Sequence, residues 1–199
     1  MPSWMLSRLK RETQSFQHAA NADRLQSIRD QDSYLRYLER IWGFEAPVEA
    51  AFARTPGLRE VIDLRGRDHI KRLRADLASL GMRMPSSLPC CRNIPVLSIA
   101  DALGWMYAIE VNALHHGRLK DQLEARIPCV IASASSYLTG GEHSAAARLA
   151  ELGLAVDELA RDSPLVDRIV EGARLAFTFQ RQWFGQLAPS SERRPPRAA

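Results

Sequence analysis

Apolar residues recur at steps of three and four along nearly the whole chain, and no stretch sustains the strict alternation of a half-buried strand. That pattern restricts the fold to helices packed on helices. The spacing predicts helices over 3–21, 32–54, 57–80, 98–126, 131–139, 143–161 and 164–187. Ser98 and Asp101 stand at capping-box spacing, with Asp for the usual Glu or Gln. Ser163 before Pro164 reads as an N-cap and first helical position. Gly81, Gly140-Gly141 and Gly153 read as helix stops or loops, and Pro47 as a kink or break in the second helix. The one long loop is 81–97, which holds Pro85, Pro89 and Pro95. With no internal repeat and no composition shift, the expectation is all-α: a single multi-helical bundle over 1–188 and a disordered basic tail over 189–199.

Charge and length narrow the function classes. A chain of 199 residues suits one domain with one sizeable core. The net charge is +4, and the tail, with three arginines and one glutamate, carries +2 of it. The body is nearly balanced, unlike a nucleic-acid binder with its basic stripe. No apolar run approaches the roughly 20 residues that cross a bilayer, and the start Met-Pro-Ser-Trp lacks a signal peptide's apolar core. The expected partners therefore include neither nucleic acid nor membrane, and the expected location is cytoplasmic. Cys90, Cys91 and Cys129 are too few for a disulfide framework, lack C-x-x-C spacing and read as reduced thiols.

In the first helix Leu6, Leu9, Thr13, Phe16 and Ala20 share a stripe less than about 90° wide, which should face the core. Gln17 falls about 70° from the stripe's centre, at the edge of that face, and His18 about 170° away, toward solvent. The run Leu9-Lys10-Arg11-Glu12-Thr13-Gln14-Ser15-Phe16-Gln17 resembles the heme oxygenase signature Leu-Lys-x-x-Thr-x-x-(apolar)-His. Leu9, Lys10, Thr13 and Phe16 match, and Gln17 stands where that family carries its proximal iron ligand. His18 takes that place only if one extra residue is accommodated, as in a π-bulge. The resemblance makes Lys10 the partner of a heme propionate and places Thr13 and Gln17 beside it as cofactor-binding candidates.

Two further segments extend the resemblance. Residues 33–49, with Tyr34, Leu38, Trp42-Gly43-Phe44, Pro47 and Glu49, are similar to the family's second helix, and Tyr34, Leu38, Ile41, Phe44 and Val48 read as core. Residues 173–184, ending in Trp183-Phe184, are similar to its last helix.

The segment 104–116 is similar to the family's distal helix through Gly104, Tyr107, Glu110 and Leu114. There His115 and His116 replace two glycines that let a helix lie close over a porphyrin face. Three meanings stand side by side. The histidines fill the cavity a heme would occupy, or one of them ligates iron from the distal side, or they serve another tetrapyrrole. Asn112 occupies the family's distal polar position and is the one candidate for a catalytic role, through hydrogen bonding.

The resemblance covers about residues 6–186 and implies a heme oxygenase-like fold of the bacterial, biliverdin-producing type. It implies oxidative cleavage of heme, at once cofactor and substrate, to biliverdin, iron and carbon monoxide, with electrons from a ferredoxin or a reductase. The alternative is a non-catalytic heme- or tetrapyrrole-binding or regulatory protein on the same bundle. A di-iron site is disfavoured by the lack of an ExxH pair, and no cysteine falls on a thiaminase-like motif.

Overall fold

The computed structural model describes residues 3–21, 28–82, 87–95 and 97–186, apart from the side chains of 18–21, 141–144, 163 and 186. Among the described residues there are nine helices and no strand: α1 (Trp4–Asn21), α2 (Gln31–Arg54), α3 (Leu58–Val61), α4 (His69–Ser79), α5 (Ile99–Ala113), α6 (His116–Glu124), α7 (Pro128–Ser133), α8 (Ser136–Leu159) and α9 (Ser163–Gln186). The protein is an all-α multi-helical bundle. None of the described helices is long and apolar enough to cross a membrane. The expected tail, 189–199, and the side chains of His18 and of Ala20, the last member of the expected α1 stripe, lie outside the described residues.

The bundle is organised around α5. Its residues from Ala102 to Ala113 are all buried, so it is a core helix rather than a surface one. A capping box starts it as the sequence predicts: the Ser98 hydroxyl accepts from the Asp101 amide at 3.3 Å, and Asp101 accepts from the Ser98 amide at 2.9 Å. It lies backbone to backbone against α9 through two glycines. A Cβ on Gly104 would collide with the Ile169 carbonyl and stand 2.7 Å from the Ala173 nitrogen, and one on Gly172 would stand 2.8 Å from the Asp101 carbonyl.

α2 links two apolar clusters. Phe44 and Val48 join Met5, Leu9, Trp105 and Phe177 in one. Tyr34, Leu38 and Ile41 join Leu73, Leu77 and Leu123 in the other. All five α2 residues expected in the core are at most 3% exposed. On α1, Leu9 and Thr13 are fully buried, while Leu6 and Phe16 pack partly buried against the first cluster.

Several predicted boundaries fall differently. The expected helix 57–80 is two pieces: the first ends at Val61, where Ile62 turns extended, the connection bends at Gly66 with a φ of 78°, and Asp68 caps a new helix by accepting from the Lys71 amide at 2.8 Å. The expected helix 98–126 breaks between Ala113 and His116, where the His115 amide bonds Asn112 O at 3.1 Å, one residue closer than α-helical pairing. The segments 131–139 and 143–161 become α7 and an α8 that runs unbroken through Gly140-Gly141 and Gly153. These glycines admit close neighbours: Arg72 lies where a Gly140 side chain would go, and Leu6 and Ser3 where a Gly153 side chain would go. α2 likewise runs through Pro47, and Ser163 is the first residue of α9 rather than its cap.

Candidate functional site

A groove of about 1220 Å³ opens between α1, α8 and the α5–α6 turn, with α2 beneath it. Small-molecule pockets run to about 300–1,000 Å³, so this space has room for a large ligand. Its sides are apolar: Leu6 from α1, Leu119 from α6, and Ala146, Leu149, Ala150 and Leu154 from one stripe of α8. Leu114 is 45% and Leu154 73% exposed, two large apolar side chains left uncovered beside one cavity.

The residues marked by sequence converge here from two distant segments. Lys10 and Gln17 line the groove from α1, and Asn112, His115 and His116 from the end of α5 and the start of α6. Thr13 does not reach it; its hydroxyl donates to Leu9 O at 2.8 Å in the core. Burial pushes the Tyr107 hydroxyl pKa up, and the Thr13 and Gln17 side chains beside it offset part of that rise. Asn112 donates through Nδ2 to Gln180 Oε1 at 3.3 Å, while Asn112 Oδ1 and Gln17 Nε2 are buried without a hydrogen-bond partner.

The two histidines part company. His115 is exposed on the groove wall, whereas His116 is 5% exposed and stacks at a tilt on Tyr137, ring centroids 4.6 Å apart. Tyr137 leads to a buried acid that the sequence reading missed. Its hydroxyl donates to Glu45 Oε1 at 2.6 Å, and Glu45 Oε2 lies 3.8 Å from His69 Nδ1. Burial, reinforced by Arg148 and other cations, drives the His69 pKa well down, so this imidazole is neutral at neutral pH. Glu45 was detectable in principle: with Tyr37 and Ile41 it makes an i, i+4, i+8 row, an acid in phase with apolar residues. Gln180 and Arg118, which also line the groove, carried no such signal.

Glu110, a match to the family's distal helix, does not line the groove. Arg67 and Arg148 hold its buried carboxylate, with Arg148 Nε 2.8 Å from Oε2, and Arg67 continues to Glu151 at 2.6 Å. Among the described residues no three His, Cys, Asp or Glu side chains form a group that could hold a metal ion. Cys90 and Cys91 sit half-buried, packed against different core clusters, and Cys129 is exposed.

Heme, the group implied by the resemblance, fits in part. The groove has the room, Lys10 offers a cation at the rim and His115 an imidazole on the wall. Gln17 offers only a carboxamide, whose Nε2 is buried without a hydrogen-bond partner. No family model, curated protein or solved structure matches the chain.

Proposed function

We propose that this chain binds a tetrapyrrole in the groove between α1, α6 and α8. The observation that carries this reading is the convergence of Lys10, Gln17, Asn112, His115 and His116 on one large, mostly apolar cavity. Heme is the ligand named by the resemblance, and when bound it supplies a redox-active iron. Lys10 receives an acid side chain, and Leu6, Leu119 and Leu149 exclude water from the ring. His115 is the imidazole free to approach the iron, because His116 is packed into the Tyr137 corner. The protein on this reading holds its ligand stably and serves binding or regulation.

Oxidative cleavage of heme to biliverdin, iron and carbon monoxide, fed by a ferredoxin or reductase, is the second reading. The Asn112–Gln180 pair favours it, because it sets a hydrogen-bonding couple on the groove floor at the family's distal polar position. Gln17 weighs against it, since the family's proximal imidazole is replaced by a weaker donor.

An absorption titration with hemin, followed by reductant under air with catalase present, tests both. A saturable Soret shift to a stable low-spin spectrum, lost in His115→Ala and kept in His116→Ala, supports binding as proposed. Loss of the Soret band with growth of broad red absorption supports turnover instead. No Soret shift at micromolar protein refutes both.

A further inference from the structure

The groove has two ends of different chemistry. Its tyrosines, Tyr37, Tyr107 and Tyr137, and its amides, Asn112 and Gln180, come from α2, α5, α9 and the start of α8. Further along α8 the described lining is aliphatic: Ala146, Leu149, Ala150 and Leu154, with Leu6 of α1. Ala146, Ala150 and Leu154 are all exposed and stand four residues apart, a file about 12 Å long on one helix face. Leu154, at 73%, is the most exposed large apolar side chain among the described residues. The file ends where α1 closes on α8. There Leu6 and Ser3 fill the space beside Gly153, and Asp157 accepts from the Ser3 hydroxyl at 2.8 Å and the Met5 amide at 3.0 Å.

The charges along the groove are uneven. Among the described residues its two acids are engaged, Asp157 as above and Glu45 with the Tyr137 hydroxyl. Its two cations, Lys10, one turn along α1 from Leu6, and Arg118 on α6, are exposed and in no ion pair among the described residues. An aliphatic file beside uncompensated cations complements a flexible alkyl chain with an anionic head, whereas a rigid ring system gains more from aromatic faces. We propose that the aliphatic end of the groove binds the chain of an unesterified long-chain fatty acid, its carboxylate drawn to Lys10 and Arg118. This goes beyond the tetrapyrrole reading and does not depend on it. The ring of that reading lies against Asn112 and His115, and the alkyl chain lies along Ala150 and Leu154.

Calorimetric titration of the full chain with octanoate, decanoate and dodecanoate below their micelle concentrations, beside the hemin titration, gives the test. Dodecanoate is expected to saturate at one per chain. Each added methylene should tighten binding about two- to fourfold, as for a CH₂ group half or wholly removed from water. Leu154→Asp, at a position too exposed to affect folding, should weaken dodecanoate about tenfold or more and hemin by less than about threefold. Lys10→Gln with Arg118→Gln should weaken octanoate and dodecanoate by the same factor, about three- to fivefold, the scale of exposed ion pairs. Affinity that does not rise with chain length overturns the site, and so does a Leu154→Asp variant that binds dodecanoate like the wild type. Dodecanoate binding untouched by the loss of both cations overturns the placing of the carboxylate. Hemin binding without fatty-acid binding overturns this proposal alone. Dodecanoate binding with the expected dependences but without hemin binding supports it and overturns the tetrapyrrole reading.

Discussion

Glu49→Gln should make the protein more stable at alkaline pH, although it removes a charge from the start of a helix. Glu49 sits on α2 and caps α4 from outside, accepting from the His69 amide at 2.8 Å and the Ile70 amide at 3.1 Å. Those bonds, with Arg72, favour the carboxylate. Burial opposes them more strongly, helped by Asp68, and the pKa is raised from 4.5 to about 7. A carboxyl group with a raised pKa holds its proton in the folded state after the unfolded chain has released it. Its contribution is therefore fully present below pH 4.5 and declines as pH rises toward 7. A shift of about 2.5 units corresponds to about 3 kcal/mol. Glutamine keeps the acceptor for both amides and has no proton to lose. Urea denaturation of both proteins at intervals from pH 4.5 to 8 should show the wild type losing about 3 kcal/mol relative to the variant. In thermal scans the relative shift should be about 6–12 °C. Taking the difference at each pH cancels the other titrating groups, including Asp76, which burial also raises. Parallel stability curves across that range would refute the reasoning, and so would a wild type that gains on the variant as pH rises.

Glu110→Gln removes the charge between Arg67 and Arg148 and leaves two buried guanidinium groups facing each other; urea denaturation should show a loss of about 3–5 kcal/mol. Gly104→Ala forces α5 away from α9 and should cost at least about 1–3 kcal/mol, read as a lower melting temperature with unchanged far-ultraviolet dichroism. Ser98→Ala removes the α5 cap and should cost about 1 kcal/mol by the same denaturation assay.

What the sequence revealed and what it hid divide along the range of the interactions. The Ser98–Asp101 box, the buried face of α1 and the α2 core row are local patterns, set by residues three or four apart, and they read correctly. The glycines of α8 misled because a glycine that ends a helix and one that admits a neighbour look alike in one dimension. Only the approach of Arg72 to Gly140 and of Leu6 to Gly153 tells them apart. The break after Val61 was masked by helical spacing on both sides of it. Lys10, Gln17, Asn112, His115 and His116 were found through motifs, whereas Glu45 was passed over because its partners, His69 and Tyr137, come from remote helices. Glu110 shows the converse: a motif position whose carboxylate is committed to two arginines far away in sequence.

α8 spans the groove from Tyr137 on its floor to Asp157 at its far end, twenty residues or about 30 Å of uninterrupted helix. The cavity is thus metered by a single ruler, and its two ends cannot be adjusted independently. One residue inserted between them would turn everything beyond it by about 100°, swinging Leu149, Ala150 and Leu154 out of the wall. Four would restore the facing but part floor from rim by about 6 Å. Lineages that carry this groove can therefore retune it by exchanging side chains along α8, while changes of length must be absorbed in the connections outside it.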